Sequence, residues 1–232
     1  IDRMSAKIPN CVGIIMDGNR RWAKAQGLLV LKGHQAGAGK LKEVAGWVKD
    51  LGIKHLVVFA FSTENWGRSA EEVSYLLNLL SEFLEKEMDY FHSQGGVLHT
   101  VGDISRFSAD LQEIFKKAEE KTKDNQGLRL YFALNYGGRQ EILSAVKKIV
   151  AENPKQEQMT EEYFAKHLQT GEMPDPDIII RTSGEMRLSG FLPWQGVYSE
   201  LFFTKTLWPD FSKEEFLKIL EEFSARERRN GK

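Results

Sequence analysis

The sequence predicts an α/β fold, a single domain with a largely parallel central sheet of about six strands flanked by helices. Two observations carry that expectation. Short apolar runs rich in Val, Ile and Phe alternate along the chain with longer stretches of helical periodicity. The 232 residues are 41% hydrophobic and 28% charged, a composition that supports a packed core. No repeat, low-complexity tract or linker interrupts them, so one domain over residues 1–232 is expected. Residues 1–8 are expected to be a flexible lead-in, with Ile1-Asp2-Arg3 preceding a native start at Met4.

The elements follow in order. Val12 to Met16 reads as a buried strand that ends in a polar turn at Asp17. Leu41, Val44, Ala45, Val48 and Leu51 recur at helical spacing, and Gly52 closes that helix. His55 to Phe61 is the second strand. Ser69 and Glu72 form a capping box that opens a helix over about 70–92, striped with Val73, Leu76, Leu77, Leu80, Phe83 and Leu84. Val97 to Val101 is a third strand, 108–125 an amphipathic helix, 128–134 a fourth strand, and 139–151 a further helix. A short helix near 160–168 precedes Pro174-Asp175-Pro176. Ile178 to Ile180 is the fifth strand, Leu201 to Thr204 the sixth, and Ser212 with Glu215 caps the last helix.

Charge and cysteine content narrow the function classes. Lys and Arg total 32 against 33 Asp and Glu, which excludes the broadly basic surface of a general nucleic-acid binder. The single cysteine, Cys11, excludes an internal disulfide and fits a reducing, cytoplasmic compartment. The longest wholly apolar run, Leu56 to Phe61, is far too short to span a membrane.

Ligands of open parallel sheets bind beyond the carboxyl ends of the strands. Four segments at those ends are polar and carry arginine: 17–22, 62–68, 135–139 and 181–187. Guanidinium forks match phosphate oxygens and glycine permits close backbone approach, so the four together suggest a multi-arginine anion site. Any one of them alone would read equally well as a solvated turn. The stretch from His34 to Leu41 resembles a P-loop but lacks its first glycine and its magnesium-binding hydroxyl, so that reading is rejected. No dinucleotide fingerprint, zinc spacing or nucleophile elbow occurs.

Taken in order, these segments resemble one family. Ile14-Ile15-Met16-Asp17-Gly18-Asn19-Arg20-Arg21-Trp22-Ala23, then Gly33-His34, then Phe61 to Trp66 with Arg68 and Glu72, are similar to cis-prenyltransferases. So are Asn135-Tyr136-Gly137-Gly138-Arg139 and the block from Asp177 to Ser189, continued by Trp194-Gln195, Tyr198 to Leu201 and Leu207 to Phe211. The resemblance runs from Pro9 to Phe211.

It implies an enzyme that condenses isopentenyl diphosphate onto an allylic diphosphate such as farnesyl diphosphate, with Z double bonds and Mg2+ as cofactor. Asp17 matches the magnesium aspartate and Glu200 a second magnesium-linked carboxylate. A bland alternative for Asp17 is a helix N-cap, and for Glu200 an ordinary ion pair. Gly18, Asn19, Arg20 and Arg21 match the loop around the allylic diphosphate, beside Trp22, and His34 matches a further phosphate contact. Ser62, Thr63, Glu64, Trp66 and Arg68 match substrate contacts. Asn65 matches the position given to proton acceptance; since an amide is a poor base, Asn65 is read as orienting a group while phosphate takes the proton. Arg181, Arg187 and Ser189, with Leu188 between them, match the isopentenyl diphosphate site. Gly137, Gly138 and Arg139 read as structural.

The resemblance also implies a homodimer with Trp194, Trp208 and Phe211 near the contact. It implies an apolar tunnel for the product, with Leu77, Leu80, Phe83, Leu84, Leu130 and Phe132 as candidate walls. A lipid product implies peripheral contact with the inner membrane surface. Val30 departs from a usual arginine and Arg20 from a usual glycine, so Arg20 is expected to replace part of the missing charge. The tail 228–232 also departs. The rival reading is a non-catalytic partner subunit of the same family, and a shorter-chain synthase is the alternative within the catalytic one.

Overall fold

The computed structural model describes residues 7–226. The expectations for the first residues and for the tail 228–232 therefore fall wholly or largely outside it. Six strands form one sheet: β1 (Cys11–Ile15), β2 (His55–Ser62), β3 (Val97–Val101), β4 (Arg129–Tyr136), β5 (Ile178–Arg181) and β6 (Glu200–Phe203). Their spatial order is β3-β4-β2-β1-β5-β6, and every neighbouring pair is parallel. β1 and β5 are buried at every residue, as strands covered on both faces must be.

Alternate residues of each strand feed two cores. One face meets α2 (Val30–Asp50), α3 (Ala70–Ser93), α4 (Ala109–Thr122) and α7 (Lys213–Ala225), and Val58, Phe132 and Ile180 point into it. The other face carries Ile15, Val57, Tyr131 and Ile179 against Met173, Phe191 and Leu192. α5 (Gly138–Glu152) and α6 (Glu161–His167) lie in the crossover from β4 to β5. From β1 the chain builds outward to β2 on one side, and after β4 it crosses to β5 on the other. That reversal puts a crevice beyond the carboxyl ends of β1 and β5.

Two predicted capping boxes are present in their serine halves. Ser69 Oγ accepts the Glu72 N–H at 3.3 Å, and Ser212 Oγ accepts the Glu215 N–H at 3.1 Å. The carboxylates that would complete them turn elsewhere, Glu72 to arginines and Glu215 to the hydroxyls of Thr204 and Thr206. Element boundaries otherwise agree within a few residues, with two differences. The segment expected as a polar loop at 17–22 becomes helical from Asn19, giving α1 (Asn19–Ala25). The helix expected from Leu41 begins eleven residues earlier, at Val30.

Both differences have one cause. Gly33, Gly37 and Gly39 dilute the apolar periodicity of α2, yet two of them are what lets α1 lie against it. A Cβ at Gly33 would sit 2.1 Å from the Asn19 carbonyl oxygen, and one at Gly37 would sit 2.4 Å from Asn19 Oδ1. Trp208 closes the same packing by donating its Nε1–H to the Gly37 carbonyl at 2.8 Å. Trp208 and Phe211 are fully buried inside the chain, stacked 5.9 Å apart. Of the three aromatics expected near a subunit contact, only Trp194 is partly exposed on this chain, against Phe164.

Two alanine substitutions in α2 are expected to differ in sign. Gly33→Ala collides with backbone and is expected to cost about 1–3 kcal/mol despite its better helix propensity. Gly39→Ala, exposed with nothing within 4 Å of its Cβ, is expected to gain about 0.5–1 kcal/mol. Thermal denaturation of the two variants beside the parent checks this, and an equal change in both would contradict the packing argument.

Candidate active site

Parallel pairing sets Ile15 beside Arg181 at the carboxyl ends of β1 and β5. Two residues later Asp17 is fixed by its own backbone. Its N–H donates to Thr182 Oγ1 at 3.0 Å, and its carbonyl accepts from that hydroxyl at 2.6 Å and from the Trp208 N–H at 3.0 Å. Gly18, at φ 113°, then turns the chain into α1. Gly18 is the residue at the N-cap position, so the alternative of Asp17 as a cap does not apply.

Arg181 is 5% exposed. Its Nη2 donates to Asp17 Oδ2 at 2.8 Å, and its Nη1 to Ser189 Oγ at 2.8 Å and to the Arg187 carbonyl at 2.5 Å. Its Nε has no partner among the described residues. The guanidinium has five N–H donors and these bonds use three, so the group is not saturated from within the described residues. Arg21 approaches the same aspartate at 3.5 Å and also binds the carbonyl and hydroxyl of Ser183. Ser183 (φ 79°) and Ser189 (φ 50°) occupy the left-handed region that side chains disfavour, so strain is concentrated around Arg181. Burial pushes the Asp17 carboxyl up. The hydrogen bond and charge of Arg181, followed by Ser183 and Arg21, more than offset that and hold it below the usual carboxylate range.

A second group gathers around Glu72 on the first turn of α3. This nearly buried carboxylate receives Arg68 Nη1 at 2.9 Å and His34 Nε2 at 3.2 Å, with Arg20 Nε at 3.7 Å. Burial lowers the His34 imidazole against the upward pull of its Glu72 hydrogen bond, and Arg68 and Arg20 lower it further. One ring nitrogen of His34 is committed to Glu72.

Between the two groups opens a cavity of about 280 Å³. Its mouth carries Asp17, Asn19, His34, Ser62, Asn65, Arg68, Arg181 and Ser189. Its depth is apolar, formed by Leu41, Leu76, Leu79, Leu80, Phe83 and Phe132. A second polar pocket beside it, sharing Asp17, Asn19, His34 and Arg68, adds Gly18, Arg20 and Arg21. Around the mouth, Arg20, Arg21, Arg68, Arg181 and Arg187 face only Asp17, Glu72 and Glu185, which leaves an excess of positive charge. An anionic head with an apolar tail is the ligand shape this arrangement fits.

Other expected site residues stand at different distances from this mouth. Ser62 and Asn65 cap each other across the short 3₁₀ turn Thr63–Gly67, and Asn65 Oδ1 accepts the Ser62 N–H at 3.1 Å. What Asn65 has left for a ligand is its amide donors, in keeping with an orienting role. Thr63, Glu64 and Trp66 lie on that turn without lining the cavity. Arg187 is well exposed and bound to Glu185 at the rim, while Leu188 packs into the second core. Trp22 points its Nε1–H at Asp210 Oδ1, 2.7 Å away. Glu200 is not brought to Asp17. It starts β6, three residues behind the partner of Arg181, about 10 Å along the strand. There it accepts Arg226 Nη1 at 2.6 Å, the ion pair that is its bland alternative.

Sequence reasoning missed three supporting roles. Thr182 anchors the backbone of Asp17, and Glu72 gathers the cations of the opposite wall. The segment 135–138 seats both flanking loops. Asn135, itself at φ 44°, accepts the Trp66 indole N–H at 2.8 Å and donates to the Asp103 carbonyl at 2.6 Å. A Cβ at Gly137 would meet Thr63 Oγ1 at 2.6 Å, and one at Gly138 would meet Pro193 at 2.1 Å. Only the glycine pair was a visible signal.

With the geometry established, known proteins bear on it. A family model described as "Putative undecaprenyl diphosphate synthase" matches residues 15–231. An isoprenyl transferase of Thermotoga maritima is 48% identical over 227 residues, 97% of each chain. One of Aquifex pyrophilus is 47% identical over 99% of this chain and 98% of its own. Among solved structures, lavandulyl diphosphate synthase from Lavandula x intermedia, in complex with dimethylallyl diphosphate, superposes with a TM-score of 0.94 at 36% identity. It covers 97% of this chain and 99% of its own. A probable undecaprenyl diphosphate synthase from Campylobacter jejuni gives 0.83 at 32% identity, over 97% and 100%.

The lowered carboxyl of Asp17 sets a pH signature. The stability that its pairing with Arg181 supplies is present above the ordinary carboxylate range and disappears as pH falls through the lower folded value. The Tm gap between the parent and Asp17→Asn is expected to be constant from about pH 8 to 6 and to close below about pH 4. A gap of full size at pH 3 would contradict the ion pair as its source.

Proposed function

Because the chain belongs to the isoprenyl transferase and undecaprenyl diphosphate synthase family of prenyl-transferring enzymes, we propose that it elongates an allylic diphosphate with successive isopentenyl diphosphate units. Farnesyl diphosphate is the expected primer and undecaprenyl diphosphate, a lipid carrier of cell-wall synthesis, the expected product. One observation supports this above the others: a mouth ringed by arginine opens directly into an apolar cavity. The rival reading as a non-catalytic partner is disfavoured by the convergence of Asp17, Arg21, Arg68 and Arg181 on that mouth.

In this reading Gly18, Asn19, Arg20 and Arg21 receive the allylic diphosphate, and Arg181, Arg187 and Ser189 the isopentenyl diphosphate. Two polyanions must approach within bonding distance, and the guanidinium groups offset their repulsion. As the allylic C–O bond breaks, charge grows on the leaving diphosphate and the N–H donors of the mouth stabilise it. A new carbon–carbon bond forms to the isopentenyl unit. That unit then loses a proton, which a phosphate oxygen accepts while the Asn65 amide orients it.

The donor set suits magnesium. Asp17 is the sole carboxylate lining the cavity among the described residues, and Mg2+ typically takes one or two carboxylates together with substrate phosphates. Asp17 would hold the ion, which when bound supplies further charge stabilisation to the leaving diphosphate. Glu200 lies too far from Asp17 in the fold to share it.

The growing tail needs an apolar path. A second cavity of about 390 Å³ lies between α2 and α3 and shares Leu41, Phe83 and Phe132 with the first. Phe83 stands edge-on to Phe132 with centroids 6.2 Å apart, as a partition between them. Of the expected tunnel walls, Leu80, Phe83, Leu84, Leu130 and Phe132 line one cavity or the other, and Leu77 lines neither. No helix among the described residues is long and apolar enough to cross a membrane. A cytoplasmic enzyme that touches the inner membrane surface is the proposed setting. The proposed homodimer finds support in an exposed stripe on α5, Leu143, Val146 and Val150.

The deciding assay mixes the protein with labelled isopentenyl diphosphate, farnesyl diphosphate and Mg2+ and sizes the products. A ladder of prenyl diphosphates is expected, and no incorporation would overturn the reading. Asp17→Ala is expected to reduce turnover by about 100-fold or more, as loss of a charge-stabilising group does. Phe83→Ala is expected to shift the product distribution upward by opening the partition; an unchanged distribution would show that Phe83 does not limit the tail.

A further inference from the structure

The turn joining α1 to α2 combines two unusual features. From Gly18 to Lys42 the sequence runs 25 residues with six Arg or Lys and no Asp or Glu, in a chain whose net charge is -1. At the centre of that run, Leu28 is 46% exposed and Leu29 is 74% exposed, followed by half-buried Val30 and Leu31.

This display is built rather than frayed. α1 ends in a Schellman arrangement: Gly27, at φ 67°, donates its N–H to the Lys24 carbonyl at 3.1 Å, and Leu28 donates to the Ala23 carbonyl at 2.8 Å. Leu29 then occupies the N-cap position of α2 with no side-chain cap. Serine, threonine, aspartate or asparagine would stabilise that position, and leucine does not. An exposed leucine where a polar cap is preferred serves neither solubility nor the helix.

The flanking cations are the ones left over. Among the described residues, Arg20 and Arg21 pair with Glu72, Asp17 and Glu185 at the cavity mouth. Lys24 makes no ion pair, and Lys32 binds only the neutral Gln35 amide at 3.1 Å. A paired leucine tip between two uncompensated lysines fits a surface that offers anionic headgroups over hydrocarbon. A second protein would have to supply both an apolar pocket and acidic rim residues.

We propose that the α1–α2 turn is a membrane-docking hook: Leu28 and Leu29 insert below the headgroups of an anionic bilayer while Lys24 and Lys32 contact its phosphates. The hook gives the membrane contact of the preceding reading a place beside the mouth where a lipid diphosphate would be released. Vesicle binding requires no turnover, so this inference and that reading fail separately.

Co-sedimentation with vesicles of phosphatidylglycerol and phosphatidylcholine, against phosphatidylcholine alone, tests it with the whole chain. The parent is expected to bind the anionic vesicles about tenfold or more strongly, with the difference shrinking in high salt. The double variant L28S/L29S is expected to lose about tenfold or more in binding while its Tm holds or rises, since a serine side chain at the N-cap position of α2 would supply the missing cap. The double variant K24E/K32E is expected to lose the preference for anionic vesicles. Equal binding to both vesicles by the parent, or unchanged binding by L28S/L29S, would overturn the proposal. So would an L28S/L29S chain that binds vesicles normally but changes its oligomeric state, which would make a second copy the partner.

Discussion

The site depends on the position of one buried cation. Arg181 ends β5, and its parallel pairing with β1 brings its guanidinium against Asp17 from the neighbouring strand. Removing a charge from water is costly unless it is paired and fully hydrogen-bonded. Asp17, Ser189 and the Arg187 carbonyl meet most of that cost, which is why the loop 187–189 folds back over the strand end. The same requirement accounts for the left-handed backbone at Ser189, while Ser183 serves Arg21 instead. Two of the five guanidinium donors stay without a partner among the described residues, so the ion pair is left unsaturated at the edge of the crevice.

The opposite wall is arranged by a carboxylate instead. Glu72 draws Arg20, Arg68 and His34 from three different elements, and its own position comes from the first turn of α3, capped by Ser69. The two walls are thus mirror images in charge: a cation organised by acceptors on the β5 side, and cations organised by an acid on the α3 side. The 62–68 and 187–193 loops border the space between them. Both loops rest on the end of β4, through Gly137 and Gly138. β4 is therefore a common reference for the two halves of the mouth, although its own side chains make few of the site's polar contacts.

Much of the architecture was legible because burial on both faces leaves a strong trace. Strands such as Ile178–Ile180 can only be apolar, and helices such as α3 and α7 carry full stripes and serine caps. α1 and the first half of α2 were hidden for a physical reason. Their contact is made by Asn19 approaching the α2 backbone, with its carbonyl at Gly33 and its side chain at Gly37, and no periodicity of side chains records it. The arginine-bearing loops were visible as a set, and the resemblance assigned them. The roles of the partners that orient them were not visible: Thr182 and Asn135 each act through a pair of hydrogen bonds, and such bonds leave no pattern along a sequence. Glu200 shows the converse, since a residue can match a family motif while one chain's geometry places it at the far end of its strand.

The larger face of the sheet also shows what an amphiphilic ligand demands of a fold. α2, α3, α4 and α7 all cover that face, yet α2 and α3 leave between them two neighbouring empty spaces that share Leu41, Phe83 and Phe132 as lining residues. A close-packed interior would be more stable, since unfilled apolar volume forfeits dispersion contacts. The inner lining of both spaces, Leu41, Leu80, Phe83, Leu84, Leu130 and Phe132, is nevertheless as apolar as the core it interrupts, and a dry apolar surface is not one that holds water. The first space is polar at the arginine mouth, and the second is bordered by Lys42, Glu43, Lys49, Asp50 and Glu87. A chain that tolerates empty apolar volume directly behind a concentrated anion site gains that energy back only when a ligand enters with its charge at one end and hydrocarbon at the other. The order of the strands makes this possible: the reversal at β1 and β5 supplies the anion end, and the gap over β2 and β4 supplies the hydrocarbon end.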